Sequence, residues 1–231
     1  MPPEPKDTFI GETRSLTEAS RTLTQPKEVV ICGESIVVYP RVFDPGVFFS
    51  SCWFGKMLAE HLQSIHAASF CEIGCGTGIV SLLVAKSNPA LPIEAGDITK
   101  EAVTNTTENF RRHGVLARVI ETDVFSGFEN RKFDAIFWSL PFGYLAEEES
   151  LDIVDRQTFD PGYRAIRKYF AEGAQHLSKR GELLFGFSPE IGHLELIEEY
   201  ARMYGWRLQC IGEHRNKEVS EVTVQLYSAT V

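Results

Sequence analysis

A glycine-rich turn after a short apolar run is the feature that most constrains this chain of 231 residues. Residues 70–78 read Phe-Cys-Glu-Ile-Gly-Cys-Gly-Thr-Gly, which predicts a buried strand, a tight turn and a helix that begins near Thr77. Gly74, Gly76 and Gly78 let the backbone turn sharply and approach a ligand that any Cβ would push away. We therefore expect a ligand here, although such a turn can also serve only to join a strand to a helix.

The spacing of these glycines argues against two common nucleotide sites. Gly-x-Gly-x-Gly, with Glu72 two residues ahead of it, differs from the Gly-x-Gly-x-x-Gly fingerprint of dinucleotide sites. No Gly-Lys-Ser/Thr follows to hold a triphosphate. The ligand is therefore expected to belong to another class.

Strand and helix patterns alternate five times along the chain. A β-branched hairpin pattern surrounds Gly33, and apolar residues recur at helical spacing from Cys52 to about Ile65. The last part of the chain changes to period two on either side of residues 212–220, which predicts an antiparallel hairpin. Right-handed crossovers between the alternating elements then predict an α/β fold with a parallel sheet covered by helices on both faces.

Four polar or glycine-rich segments each follow one of the predicted strands. They are residues 72–78, Asp97, Asp123 and residues 139–142. Because ligands of parallel sheets bind at the carboxyl ends of the strands, we expect these segments to form a single site.

Composition limits the location and the partners of the protein. The formal net charge of −9 disfavours a broad basic surface for long nucleic acid, and no apolar run is long enough to span a bilayer. The first residues show no secretory signal, so a cytoplasmic protein is expected. Without a Cys-x-x-Cys pair or a histidine ligand pattern, neither a metal nor disulfides are expected. All five cysteines are thus predicted to be free thiols: Cys32, Cys52, Cys71, Cys75 and Cys210.

Residues 72–78, Glu-Ile-Gly-Cys-Gly-Thr-Gly, closely resemble the first motif of the class I S-adenosylmethionine-dependent methyltransferases. The resemblance extends over roughly residues 40 to 228. It implies S-adenosylmethionine as cofactor and a Rossmann-like, seven-stranded sheet that is mostly parallel and ends in an antiparallel hairpin. We expect residues 1–27 to be a flexible segment. Residues 28–231 should form one methyltransferase domain, in which residues 28–66, a β-hairpin and a helix, are an N-terminal cover.

The same resemblance assigns cofactor contacts. Glu72 would help to hold the methionine ammonium group, Asp97 would accept hydrogen bonds from the ribose hydroxyls, and Asp123 would take the adenine amino group. The residues that follow these two aspartates, Ile98 and Val124, would complete the cofactor site with the three glycines. Asp97 could instead be a charge at a helix N-terminus, and Asp123 a turn aspartate.

Residues 139–142, Ser-Leu-Pro-Phe, fall where related N-methyltransferases carry Asn/Asp-Pro-Pro-Tyr/Phe or Asn-Leu-Pro-Tyr. In that family the first side chain and the carbonyl of the second residue accept hydrogen bonds from the target nitrogen, and the aromatic ring packs on the substrate. The catalytic residues would then be Ser139, Leu140, Pro141 and Phe142, hereafter the tetrapeptide. Because serine replaces Asn or Asp, the target nitrogen stays open. The tetrapeptide could also be only a strand-end turn.

Four further residues are expected to contact the acceptor: Arg41, Phe43, Phe48 and Tyr144. A polar, acidic connection from Ala146 to about Pro161 is long enough to act as a lid.

The wider pattern is similar to the release-factor glutamine methyltransferases and related RNA-base enzymes. With only about 27 residues before the hairpin, the helical recognition domain of the bacterial glutamine enzymes is not expected. We expect methyl transfer to a nitrogen of a protein side chain or a small molecule, with nucleic acid a less favoured acceptor. The alternatives are an O-methyltransferase of a small metabolite and a noncatalytic, methyltransferase-like binding subunit. The sequence leaves the oligomeric state open.

Overall fold

The computed structural model describes residues 20–47, 50–146, 150–215 and 222–231, together with residues 11, 14, 17 and 18. These contain eleven strands: β1 (Lys27–Ile31), β2 (Glu34–Val38), β3 (Phe70–Ile73), β4 (Ile93–Asp97), β5 (Ala117–Glu121), β6 (Phe133–Ser139), β7 (Gly143–Leu145), β8 (Phe159–Pro161), β9 (Leu177–Phe187), β10 (Arg207–Arg215) and β11 (Thr223–Thr230). Among residues 50–215, the α-helices are α1 (Ser50–Ser64), α2 (Ile79–Ser87), α3 (Lys100–His113), α4 (Arg164–Gly173) and α5 (Leu194–Met203).

Seven strands form the central sheet, in the order β10-β11-β9-β6-β3-β4-β5. Strands β3, β4, β5, β6 and β9 pair in parallel, whereas β11 pairs antiparallel with both β9 and β10. All four residues of β3 are buried, as expected for an apolar strand in the middle of a parallel sheet that is covered on both faces. The predicted fold class is confirmed, including the N-terminal hairpin β1–β2 and the C-terminal antiparallel hairpin.

Helices cover both faces of this sheet through two apolar clusters. Helices α1, α2 and α3 pack on one face, where Phe54, Leu82 and Phe110 are buried. Helices α4 and α5 pack on the other, where Tyr169 and Ile197 are buried. The sheet is thus held between two hydrophobic layers, and its strand ends remain available for ligands.

The N-terminal hairpin is attached to α3 by two buried asparagines. Asn105 and Asn109 each donate a side-chain N–H to the Val37 carbonyl, at 2.7 and 2.9 Å. Their amide oxygens accept the backbone N–H groups of Tyr39 and Val37, both at 2.8 Å. Asn109 also donates to the Thr77 carbonyl at 2.9 Å. Since these bonds satisfy backbone groups of the hairpin, they fix the cover beside the glycine turn.

One prediction about the N-terminal region is wrong. Cys32 and Cys52 form a disulfide, with their Cα atoms 5.7 Å apart, because the hairpin turn lies against the first turn of α1. Cys71, Cys75 and Cys210 are free, as predicted. Residues 20–22 are helical, and Arg21 binds Asp155 at 2.5 Å and also pairs with Asp152.

The described residues include no helix that is both long and apolar enough to cross a bilayer. They also contain no group of three or more His, Cys, Asp or Glu residues suited to a metal ion.

Candidate cofactor and acceptor site

A cavity of about 1160 Å³ opens at the carboxyl ends of β3, β4 and β6. All four predicted segments line it: the glycine turn, Asp97, Asp123 and the tetrapeptide. Its volume slightly exceeds the range of roughly 300–1,000 Å³ that is usual for a single small-molecule site. The cavity can therefore hold a cofactor and part of an acceptor together. We call the part lined by residues 72–77, 79, 80, 97–99, 102 and 122–124 the cofactor half, and the part lined by residues 139–143, 153, 156–161, 164, 165 and 215 the acceptor half.

The glycine turn adopts a backbone that other residues resist. Gly74, Gly76 and Gly78 have φ angles of +64°, +54° and +77°, in the left-handed region. A Cβ on Gly74 would lie 2.6 Å from Nε1 of Trp138, and one on Gly78 would lie 2.7 Å from a methyl carbon of Thr106. The turn therefore packs against its neighbours through bare backbone and leaves space in front of it.

Glu72 is a buried carboxylate on the cavity wall. Its Oε2 accepts the backbone N–H of Ser81 at 3.1 Å and also the Ser81 hydroxyl. Burial raises the pKa of Glu72 to about 8, although the two bonds from Ser81 act in the opposite direction. Both bonds go to one oxygen, which leaves Oε1 for a cationic group of a ligand.

Asp97 ends β4 and connects it to the glycine turn. One carboxylate oxygen accepts the N–H of Gly76 at 3.0 Å, and the other accepts the N–H and hydroxyl of Thr99 at 3.0 and 3.1 Å. Burial raises the pKa of Asp97, and these bonds partly offset that effect. Thr99 caps α3 as predicted, because its hydroxyl accepts the N–H of Ala102 at 3.1 Å. Asp97 thus orders the turn and keeps little spare capacity for a ligand hydroxyl.

Ile98 and Val124 supply the apolar part of the cofactor half. Ile98 is 45 % exposed on the cavity wall, which is unusual for a large aliphatic side chain. Val124 is buried and has a φ of +53°, a conformation that β-branched residues rarely adopt. Both side chains line the cavity, where they offer apolar surface to a flat ring of a ligand.

Asp123 lies at the open edge of the cofactor half. Its side chain is 55 % exposed and accepts a hydrogen bond from Nζ of Lys168 at 2.8 Å. Lys168 also donates to the Asp123 backbone carbonyl at 3.1 Å. Asp123 is therefore held at the cavity edge by an ion pair that solvent can reach.

The tetrapeptide begins with Ser139, the last residue of β6, and lines the same cavity. The Leu140 N–H donates to the Gly186 carbonyl at 3.1 Å, which fixes the peptide to β9. Among the described residues, no group donates to the Leu140 carbonyl or forms a hydrogen bond with the Ser139 hydroxyl. The Phe142 ring packs edge-on against Phe187, with centroids 5.6 Å apart. All four residues of the tetrapeptide thus line the acceptor half.

The acidic connection returns to the tetrapeptide through the short strand β8. Gly143 donates its N–H to the Thr158 carbonyl at 2.8 Å, and β7 and β8 pair in parallel. Asp160, on β8, accepts the N–H of Ile166 at 3.0 Å, and burial raises its pKa to about 6. The Oε1 atom of Gln157 is buried without a hydrogen-bond partner among the described residues, on a side chain that lines the cavity. Strand β8 and the residues just before it therefore bring polar groups to the acceptor half.

The four residues predicted to contact the acceptor differ in their position relative to the cavity. Phe43 lines the cavity. Arg41 is exposed and does not line the cavity, although its carbonyl accepts a hydrogen bond from Nε2 of Gln157 at 2.5 Å. Tyr144 is buried behind the tetrapeptide against Tyr163 and His193, with ring centroids 5.2 and 5.3 Å away, so it is not on the cavity wall. Phe48 lies outside the described residues.

Sequence reasoning missed several residues that line the cavity. Trp138, the residue before the tetrapeptide, packs against Gly74, and its position at the end of an apolar strand was the available signal. Asp160, Arg156, Arg164 and Arg215 also line the cavity, but they lie in segments whose folding depends on distant contacts.

The cofactor half fits S-adenosylmethionine in charge and shape. The bare backbone at Gly74 and Gly76 leaves room for a flexible chain, Glu72 offers one oxygen to an ammonium group, and Ile98 and Val124 offer apolar surface to a flat ring. Asp97 and Asp123 would complete this site beside the ribose and the base.

Comparison with known proteins gives two relatives of different acceptor type. The chain is 26 % identical over 159 residues to ribosomal RNA small subunit methyltransferase C of Vibrio parahaemolyticus, covering 69 % of this chain and 41 % of that protein. It is 27 % identical over 174 residues to a Methanocaldococcus jannaschii protein named "Putative protein N5-glutamine methyltransferase", covering 74 % of this chain and 84 % of that one. The chain thus spans less than half the length of the ribosomal RNA enzyme.

A solved structure shows the same fold. A T. thermophilus 16S rRNA N2 methyltransferase in complex with AdoMet and guanosine matches with a TM-score of 0.60 and 18 % identity, over 87 % of this chain and 49 % of that one. The family model described as methyltransferase small domain matches residues 42–204, more than half of the chain. The protein therefore belongs to the methyltransferase small domain family.

Proposed function

We propose that this domain methylates a nitrogen atom of a protein side chain or a small molecule, and that the tetrapeptide holds that nitrogen. The observation that carries the proposal is the position of Ser139 and Leu140 on the cavity wall, beside the cofactor half. Their hydroxyl and carbonyl oxygens are available to accept hydrogen bonds from an N–H group.

The bound cofactor supplies an electrophilic methyl group, so the protein contributes mainly alignment. The Leu140 carbonyl and the Ser139 hydroxyl orient the nitrogen by accepting hydrogen bonds from its N–H groups. The Phe142 ring, anchored on Phe187, restricts the acceptor to one plane. Pro141 limits the backbone freedom of the tetrapeptide and has no N–H to compete for the acceptor.

The experiment that tests this function follows tritium transfer from methyl-labelled S-adenosylmethionine to a glutamine-containing peptide, to guanosine and to 16S rRNA. With the acceptor that is methylated, Phe142→Ala should lower kcat on the order of a hundredfold, because small misplacements of reacting groups are costly. Ser139→Ala should lower kcat only about threefold to tenfold, the worth of one hydrogen bond, because the Leu140 carbonyl remains.

Both variants should bind S-adenosylhomocysteine with near-normal affinity in calorimetry, since neither side chain lies in the cofactor half. If both variants keep normal turnover, or if both lose cofactor binding and unfold, the tetrapeptide is only a strand-end turn. Mass spectrometry that places the methyl group on oxygen would also contradict the proposal.

A second candidate acceptor is a base nitrogen of RNA, and one observation favours it. Arg156, Arg164 and Arg215 line the acceptor half, and none of them forms an ion pair with a described acid. Three guanidinium groups there suit phosphates despite the net charge of −9. Binding of a 16S rRNA fragment should then weaken steeply with salt, and Arg215→Gln should reduce that salt dependence. Salt-independent binding would leave the side-chain or small-molecule acceptor as the better assignment.

A further inference from the structure

The hydroxyl of Tyr163 joins three segments behind the tetrapeptide. It donates a hydrogen bond to the Phe142 carbonyl at 2.6 Å and accepts the backbone N–H of His193 at 3.1 Å. Tyr163 is fully buried. Burial raises the pKa of this hydroxyl, so it remains a protonated donor at any pH at which the protein would be assayed. Both hydrogen-bonding functions of the hydroxyl are therefore engaged.

The surroundings leave this hydroxyl little freedom. Tyr163 has a φ of +48°, which is rare for an aromatic residue, and its ring packs edge-on against Tyr144 at 5.2 Å and Phe187 at 6.4 Å. A Cβ on Gly192 would come too close to the Phe142 carbonyl, and it would lie 2.6 Å from the Tyr163 hydroxyl oxygen. Strained backbone conformations that the surroundings fix often occur next to functional sites.

Phe142 thus has two attachments, one at its ring and one at its carbonyl. The ring is held by Phe187, which also packs against Tyr163. The carbonyl is held by the hydroxyl of Tyr163, a residue that does not line the cavity. Because Pro141 restricts the preceding backbone, fixing the carbonyl of Phe142 also restricts the peptide that carries the Leu140 carbonyl.

We propose that Tyr163 is a positioning residue, whose hydroxyl fixes the Phe142 carbonyl and thereby aims the Leu140 carbonyl and the Phe142 ring at the acceptor. This inference rests on the proposed function of the tetrapeptide. Tyr163 touches neither the cofactor half nor the acceptor, and it acts only through Phe142.

Tyr169, on the helix α4 that begins directly after Tyr163, provides a matched control. It is also fully buried, and its hydroxyl lies 3.0 Å from the carbonyl oxygens of Ile136 and Leu184, in the middle of the sheet. Tyr163→Phe and Tyr169→Phe each remove one buried hydroxyl that bonds a backbone carbonyl. If Tyr163 were only a core residue, the two variants should behave alike.

Amide hydrogen exchange of the protein bound to S-adenosylhomocysteine, measured by mass spectrometry, tests the inference without an acceptor. In Tyr163→Phe, amides of the peptide covering residues 139–146 should exchange about three- to tenfold faster, the worth of one hydrogen bond. In Tyr169→Phe they should exchange at the normal rate. Equal exchange in this peptide for both variants would overturn the inference.

Kinetics separate this inference from the proposed function. Tyr163→Phe should lower kcat about tenfold while KM for the acceptor and the Kd for S-adenosylhomocysteine change less than about twofold, because orientation is lost and binding is kept. Tyr169→Phe should keep normal kcat. If Phe142→Ala loses activity but Tyr163→Phe does not, the inference about Tyr163 fails and the proposed function stands. If neither loses activity, the proposed function fails.

Gly192→Ala gives a second variant that disturbs the same bond from the other side. Its methyl group would come too close to the Phe142 carbonyl, the Phe187 ring and the Tyr163 hydroxyl, so all three must shift. It should therefore reproduce the faster exchange of residues 139–146, with cofactor affinity unchanged. Normal exchange in a folded Gly192→Ala protein would overturn the inference, even if Tyr163→Phe proved too unstable to study.

Discussion

In the cofactor half of the cavity, backbone groups and carboxylates hold one another, as the hydrogen bonds that Gly76 and Thr99 donate to Asp97 show. In the acceptor half, the buried Oε1 of Gln157 has no hydrogen-bond partner among the described residues. The first arrangement sets the shape of its site before any ligand arrives. The second leaves hydrogen-bonding capacity for a molecule that must be oriented for reaction.

The two halves also differ in charge. Glu72, Asp97 and Asp123 line the cofactor half, whereas arginines line much of the acceptor half. A cationic cofactor is thus attracted to one end of the cavity, while the other end favours electron-rich or anionic groups. Changes in the cofactor half should therefore affect folding and cofactor affinity, and changes in the acceptor half should affect turnover.

Among changes in the cofactor half, Gly74→Ala is expected to have the largest effect on stability. Its Cβ would lie 2.6 Å from Trp138, and the residue would keep a φ of +64°. Overpacking and the left-handed conformation together should lower the free energy of unfolding by about 2–5 kcal/mol. Gly76→Ala is the control, because its nearest neighbour would be 3.9 Å away, and it should cost only about 1–2 kcal/mol. Equal losses in urea denaturation would show that the contact with Trp138 does not matter.

Asp97→Ala should weaken cofactor binding next most strongly. It removes a carboxylate that orders the glycine turn and lines the cavity. Losing the hydrogen bonds of this charged group should cost about 1.5–3 kcal/mol of binding free energy, or about ten- to a hundredfold in Kd. Calorimetry with S-adenosylhomocysteine measures this change. An unchanged Kd in a folded variant would refute the role of Asp97 in the cofactor site.

Glu72 should make both stability and cofactor affinity depend on pH. Its pKa is about 8 in the folded protein and 4.5 in the unfolded chain, so the folded state alone holds the proton between these values. Raising the pH through this interval should therefore lower the stability of the ligand-free protein. Binding of an ammonium group favours ionised Glu72, so affinity for S-adenosylhomocysteine should rise, by at most about tenfold per pH unit, from pH 6 to 8. The Glu72→Gln protein should show no such rise, and a persisting rise would assign the effect to another group.

Asp123→Asn should have the smallest effect on folding. The ion pair of Asp123 with Lys168 is more than half exposed on the aspartate side, so its loss should lower the free energy of unfolding by about 0.2–1 kcal/mol, and less at high salt. Thermal unfolding at two salt concentrations measures this. A loss above about 3 kcal/mol would mean that Asp123 is part of the fixed framework of the cofactor half.

The cofactor half was predictable because its residues follow local patterns. The strand, the glycine turn and the Thr99 cap each leave a short signature, and the parallel topology brings them to the same edge of the sheet. The fold class followed from the same alternation. The details that failed depended on tertiary contacts: no pattern within the sequence showed that Cys32 would meet Cys52.

The acceptor half could be predicted only at the tetrapeptide. Strand β8 forms because Gly143 and Thr158, fifteen positions apart by their numbers, come together, and Tyr163 reaches Phe142 only through that pairing. Tyr144 was expected on the cavity wall, but period-two alternation beyond β6 and the Tyr163 ring place it behind the tetrapeptide. Such contacts are set by the assembled fold and leave no short-range signal.

Strand β11 is the last strand of the sheet in sequence, yet it lies between β9 and β10. While the chain is being synthesised, the strands that carry the cofactor half emerge and can pair first, whereas the edge of β9 stays open until β11 has left the ribosome. An open strand edge can pair with another chain, so this interval is when the nascent protein is most exposed to aggregation. Shortening β11 should for this reason reduce the yield of folded protein more than its distance from the cavity suggests.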